Sequence, residues 1–199
     1  MPATLEVIVG PMFSGKSGVL LLRAERARIA KKRVLAVKPV TDTRIANGIA
    51  PRRLQENGTT ARTGLLPAHE IRTERELLAL FANEDFDVLI VDEAQFFPLD
   101  GDQLGWFGRA IETLLYLRRN DDLHAYIAGL DMTWDGKPFN GMPGLCAIAD
   151  RILKVTAICE CGDEAQFSQR LSKDTSTVVI GDADKYEPRC RRCFVPPSL

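Results

Sequence analysis

Residues 10–17 read Gly10-Pro11-Met12-Phe13-Ser14-Gly15-Lys16-Ser17, a full G-x-x-x-x-G-K-[ST] pattern. Each specified position answers a demand of a polyphosphate. The glycines let the backbone turn so that several N–H groups face inward. Lys16 can reach the β- and γ-phosphates, and the Ser17 hydroxyl can ligate Mg²⁺. A second acidic signal lies downstream. The apolar run Val88-Leu89-Ile90-Val91 ends in Asp92-Glu93, the form of a Walker B element. Asp92 at a strand end can hold Mg²⁺, directly or through water. Glu93, one residue further, can accept a proton from an attacking hydroxyl. The pair alone also fits a solvated strand end, and it does not distinguish water from an alcohol as acceptor. Arg44 and Arg170 are candidates for stabilising transferred phosphoryl charge, though by pattern alone both read as surface residues.

Five cysteines make a third group. Cys159-x-Cys161 and Cys190-x₂-Cys193 are separated by 28 residues. Two close pairs of thiolates suit tetrahedral Zn²⁺ in a closed, structural shell that pins residues 162–189 as one large loop. A redox dithiol and ordinary reduced thiols stay open, since the first pair is one residue short of the usual spacing. Cys146 reads as a small buried hydrophobe. His69 and His124 have no ligand spacing.

These residues must be positioned by an α/β frame. Leu5–Val9 reads as the strand before the phosphate loop, and Ser17–Ala30 as the helix after it, its positive end adding to the site. Further strands are expected over 33–39, 87–92, 123–130 and 151–158, with helices over 74–81 and 104–119. Residues 40–70 and 136–144 read as loops. Strands alternating with helices imply a parallel sheet. The expectation is a P-loop (RecA-like) α/β fold over residues 1–157, followed by a small zinc-ribbon-like domain over 158–199.

Composition bounds the function. At 199 residues with 45% hydrophobic and 27% charged residues, the chain can bury an ordinary enzyme core. The net charge is −1 and the longest basic run is Lys31-Lys32-Arg33, so no nucleic-acid-binding track is advertised. No segment approaches the roughly 20 apolar residues of a membrane span. A nucleotide site without an export signal is expected in the cytoplasm.

Together the motifs resemble the type II thymidine kinases. The resemblance is carried by the extended phosphate loop, Asp42-x-Arg44, Asp92-Glu93-Ala94-Gln95-Phe96-Phe97, Ala128-Gly129-Leu130-Asp131 and Lys137-Pro138-Phe139. Gln169-Arg170-Leu171 and Tyr186-x₃-Cys190-x₂-Cys193 complete it. It covers nearly the whole chain. It implies Mg²⁺-dependent transfer from ATP to the 5′-hydroxyl of thymidine or deoxyuridine in pyrimidine salvage. Glu93 matches the family's base, and Lys16, Ser17 and Asp92 its phosphate and metal site. Met12, Phe96, Leu130, Phe139 and Tyr186 match walls of the thymidine pocket, and Trp134 stands where an aromatic is usual. By pattern alone the aromatics also read as core. Ser168 to Val179 matches a loop held over the thymine by backbone hydrogen bonds and tied down by Zn²⁺ at Cys159, Cys161, Cys190 and Cys193. The resemblance further implies a homotetramer inhibited by thymidine triphosphate.

The sequence departs from the family pattern at Gly18-Val19, where Thr-Glu is usual, at Asn140, where glycine is usual, and at the shortened Cys159-x-Cys161. A RecA-like ATPase or helicase module is the rival reading, because Asp92-Glu93-Ala94-Gln95 also echoes helicase acids. A nucleotide-binding zinc-ribbon module and a zinc-lid nucleotide kinase are further alternatives.

Overall fold

Strand β1 (Thr4–Val9) alternates between two faces that are both covered, the period-2 behaviour of a buried strand, with Glu6 paired to Arg23 on the face that Ile8 shares. Leu5, Val7 and Val9 enter one core cluster while Ile8 enters another. Five more strands complete the main sheet: β2 (Val34–Pro39), β3 (His69–Ile71), β4 (Val88–Val91), β5 (His124–Gly129) and β6 (Arg151–Lys154). Their order is β6-β1-β5-β4-β2-β3, and every neighbouring pair is parallel. The computed structural model describes residues 2–54, 60–62, 64–172, 176, 181 and 183–196.

Helix α1 (Lys16–Ile29) covers one face through Leu20, Ala24 and Ala27, packed with Ile8, Ala36, Ile90 and Ala128. Helices α2 (Glu74–Asn83), α3 (Gly105–Leu117) and α4 (Met142–Ile148) cover the other. There Leu77, Ile111, Leu114 and Leu145 meet Val7, Val37, Leu89 and Ile127. Thr73 and Glu76 form a reciprocal capping box that fixes the start of α2. The parallel arrangement gathers the ends of β1, β4 and β5 at one edge of the sheet. Ligands bind at such carboxyl ends in open α/β sheets. No helix among the described residues is long and apolar enough to cross a membrane.

Three expectations within residues 1–158 are corrected. The 40–70 segment is not all loop: β3 pairs with β2 at Val37–His69 and Pro39–Ile71, and two short two-stranded ladders precede it. Three residues at a sheet edge give too short a pattern to read. Helix α4 starts inside the expected 136–144 loop, with a proline in its first turn. Gly144 is needed there because a Cβ would lie 2.5 Å from the Gln103 carbonyl oxygen. The 151–158 strand divides after Lys154: Val155 donates to the Val9 carbonyl, and Ala157–Ile158 starts a separate hairpin.

That hairpin pairs β7 (Ala157–Ile158) with β8 (Glu164–Ala165), and a second pairs β9 (Phe167–Arg170) with β10 (Tyr186–Arg189). Residues 162–189 are therefore not a single loop among the described residues. Val179 lies outside the described residues.

Candidate active site

The phosphate loop leaves β1 through Gly10, whose φ is 152° and whose Cβ position lies 2.2 Å from the Val155 carbonyl oxygen. Only glycine lets the chain pass so close. Phe13 and Gly15 are left-handed, at φ 63° and 84°, and Val19 N–H closes α1 onto the Gly15 carbonyl at 3.1 Å. The buried Lys16 donates to the carbonyls of Gly10 (3.0 Å) and Pro11 (2.6 Å). Burial lowers its pKa, against the upward pull of Glu93 and Asp92. Ser14 Oγ donates to the Pro11 carbonyl, holding the loop's tip.

Asp92 follows β4 and accepts from its neighbour's N–H and from the Ser17 hydroxyl. Burial and the Glu93 charge raise its pKa to about 6. The Asp92 carboxylate beside the Ser17 hydroxyl offers hard oxygens of the kind that suit Mg²⁺.

Glu93 adopts φ 54° and ψ 38°, an uncommon left-handed conformation for this residue. Its Oε1 ion-pairs with Arg44 Nη2, and its Oε2 accepts from Gln95 Nε2 at 2.6 Å. Gln95 is wholly buried, and its Oε1 accepts from Leu130 N–H at 3.0 Å. Arg44 Nε donates in turn to Asp42 Oδ1. Glu93 and Asp42 raise the Arg44 pKa despite the opposing effect of burial. Met12, Lys16, Ser17, Arg44, Glu93 and Leu130 line one cavity. A carboxylate fixed by two donors beside a phosphate loop can receive a proton from a hydroxyl attacking the terminal phosphate.

The aromatic residues separate into two sets. Phe97 stacks on Phe107 at 4.1 Å and belongs to the core. Phe96 is half-buried and meets Phe139 edge-on at 6.1 Å. Ser168 Oγ accepts from Met12 N–H at 2.9 Å. Arg170 is not a surface residue. It is buried, donates to Tyr186 Oη at 2.8 Å and to the Ser176 carbonyl, and lies over the Trp134 and Tyr186 rings. This places it among the expected pocket walls, holding the chain at Ser176. Arg44 is likewise enclosed, with 13% side-chain exposure.

The Sγ atoms of Cys159, Cys161, Cys190 and Cys193 all lie within 4.8 Å of one another. The shortened first pair is accommodated by a tight turn closed by Gly162 N–H onto the Cys159 carbonyl, with Gly162 at φ 89°. Backbone N–H groups of Cys161 and Cys190 hold the Cys159 thiol down, to about 6, while side-chain hydrogen bonds with Cys161 and Cys190 push the Cys193 thiol up, to about 12. The four cysteines fit a metal ion. Phe13 of the phosphate loop packs against their cluster. Cys146, by contrast, is half-buried in α4.

A family model described as thymidine kinase matches residues 3–194. A thymidine kinase of Bacteroides thetaiotaomicron is 41% identical over 192 residues, covering 96% of this chain and 86% of its own. That of Rhodothermus sp. is 37% identical, covering 97% and 82%. That of raccoon poxvirus is 32% identical, covering 96% of both chains. The chain belongs to the thymidine kinase family.

Within this thymidine kinase framework, four supporting residues carry no role legible from the sequence. Gln95, Asp42, Lys38 and Asn140 bond behind the motif residues rather than into the cavity. Asn140, at φ 41°, donates from its side chain to the Gln95 carbonyl at 2.7 Å. It takes a left-handed position that glycine also suits, which rationalises that departure. Lys38 and Asp42 flank Pro39 and Arg44, but no spacing rule marks a strand lysine as an anchor.

Proposed function

We propose that the protein transfers the γ-phosphoryl group of ATP to the 5′-hydroxyl of thymidine, with deoxyuridine as an alternative acceptor. The observation that carries this reading is Glu93, held between Arg44 and Gln95 in the cavity that Lys16 and Ser17 also line. The 5′-hydroxyl loses its proton to a Glu93 carboxylate oxygen as its oxygen attacks the γ-phosphorus. The bond to the β,γ-bridging oxygen breaks and ADP leaves. Lys16 and the inward N–H groups of the loop bear charge on the phosphates, and Arg44 adds a cation beside the transferring group. When bound, Mg²⁺ neutralises β- and γ-phosphate charge; Ser17 and Asp92 are the residues that would hold it.

Met12, Phe96, Leu130, Phe139 and Tyr186 wall the nucleoside, with Trp134 behind Arg170. The segment from Ser168 toward Val179 reads the base through its backbone. In this reading residues 158–199 form a covering domain on the nucleotide-binding domain of 1–157. Zn²⁺ at Cys159, Cys161, Cys190 and Cys193 is its structural ion. A cytoplasmic homotetramer inhibited by thymidine triphosphate completes the proposal, which rests there on the family likeness.

The test is ADP release from Mg-ATP with no acceptor, thymidine, thymidine monophosphate or single-stranded DNA. Turnover that requires thymidine is expected. Turnover indifferent to thymidine but raised by DNA would instead support an ATPase motor.

A further inference from the structure

Lys38 lies in β2, one strand from the sheet's edge, yet it is fully shielded from solvent. A buried ammonium persists only where acceptors surround it. Its Nζ donates to the Asp42 carbonyl at 2.8 Å and to the Ile45 carbonyl. It also lies 3.5 Å from Asp42 Oδ2 and 3.6 Å from Glu70 Oε1 of β3. Asp42 uses its other oxygen for Arg44 Nε, and Arg44 continues to Glu93. Lys38, Asp42, Arg44 and Glu93 thus form a chain of alternating charge from the outer strands to the proton acceptor. Lys38 is not among the residues lining either of two cavities bounded by Glu93.

We propose that Lys38 is a positioning residue for phosphoryl transfer, acting through Asp42 and Arg44 on the orientation of Glu93. The inference rests on the reading of Glu93 as proton acceptor. Residues 40–47 form an irregular turn with few backbone bonds of their own, Asp42 N–H to Pro39 and Thr43 N–H to Thr41 among them. Lys38 ties two carbonyls and one carboxylate of that turn to a rigid strand. Glu70 secures the outer end, accepting from Asn47 N–H at 2.9 Å while facing Lys38. A guanidinium carried on an unanchored turn would sample several positions, and sub-ångström placement governs the rate of such a transfer.

The test compares Lys38→Met, Arg44→Ala and the double variant, measuring thymidine-dependent ADP formation, both KM values and thermal melting. Lys38→Met is expected to lower kcat by about 10- to 100-fold, with each KM changed less than about 3-fold. In the Arg44→Ala background the same substitution is expected to change kcat by less than about 3-fold, because its route to Glu93 is already cut. An equal loss in both backgrounds, or no loss in the first, would overturn the proposal. If Lys38→Met does not fold, Asp42→Asn replaces it in the same cycle, and a loss that persists without Arg44 overturns the proposal. Wild-type protein lacking thymidine-dependent turnover would remove the reading of the site, and this proposal with it. Normal wild-type turnover beside an unimpaired Lys38→Met removes this proposal alone.

Discussion

The Met12 main-chain N–H donates to Ser168 Oγ at 2.9 Å, joining the phosphate loop directly to strand β9 of the cysteine-bearing segment. Residues 156 positions apart therefore share one buried hydrogen bond. Next to it, Phe13 packs on the cysteine cluster. The phosphate loop and the cysteine-bearing segment are thus joined by direct contacts at two successive residues.

Ser168→Ala should affect both substrates. It leaves the Met12 N–H without its acceptor in a buried setting, at a cost of about 1–3 kcal/mol. The expected outcome is a lower melting temperature and a raised KM for ATP as well as for thymidine. A change in the thymidine KM alone would show that the bond does not transmit to the phosphate loop.

Glu93→Gln should separate chemistry from binding. The amide cannot take the hydroxyl proton, so kcat should fall by about 10²-fold or more. The contacts of Lys16 and the loop are untouched, so ATP affinity measured by calorimetry should stay close to wild type. Near-normal turnover would remove Glu93 from its role.

Metal removal should loosen more than the covering segment. Chelation is expected to raise the protease sensitivity of residues 158–196 and to weaken ATP binding, because Phe13 loses the surface it packs on. Elemental analysis that finds no zinc in folded, active protein would reject the assignment of the ion.

What the sequence made legible follows a physical division. Gly10, Lys16 and Ser17 have fixed spacing after β1, and Asp92 and Glu93 directly follow β4, so type and order mark them as candidates. The four cysteines show for the same reason. Arg44 and Arg170 were ambiguous because a lone arginine in a loop pattern carries no sign of burial. Their enclosure depends on Asp42 and Glu93 in one case and on Trp134 and Tyr186 in the other, contacts made only by tertiary folding. Gln95 bonds both the Glu93 carboxylate and the Leu130 N–H, and Lys38 bonds the Asp42 and Ile45 carbonyls, partners of which side-chain patterns hold no record. Strand β3 was hidden because His69-Glu70-Ile71 is held by its neighbour's backbone rather than by an apolar run.

Gly18→Ala should stabilise the protein. Gly18 sits in the first turn of α1 with an ordinary helical φ, and a Cβ there would meet only Pro51 Cβ, at 3.8 Å. Replacing a helical glycine by alanine is worth about 0.5–1 kcal/mol. For a chain of this size that is a rise in melting temperature of roughly 1–4 °C. An unchanged or lower melting temperature would mean that the turn needs glycine for a reason beyond space.

Asp87→Asn tests a polar tie between strands β2 and β4. The Asp87 carboxylate accepts from Arg33 N–H at 2.8 Å, Nε at 3.1 Å and Nη2 at 2.9 Å. These bonds, led by the Arg33 side chain, lower its pKa to about 2. A carboxyl group depressed on folding stabilises the native state above its unfolded pKa of about 3.9 and loses that contribution as pH falls toward about 2. The pair is partly exposed, so its worth is at most about 1 kcal/mol. In urea unfolding, the Asp87→Asn variant should be less stable than wild type by a constant amount from pH 7 to about pH 5, with the gap narrowing below about pH 4. A gap that stays constant down to pH 3 would mean that the lost stability comes from something other than the ionised carboxylate.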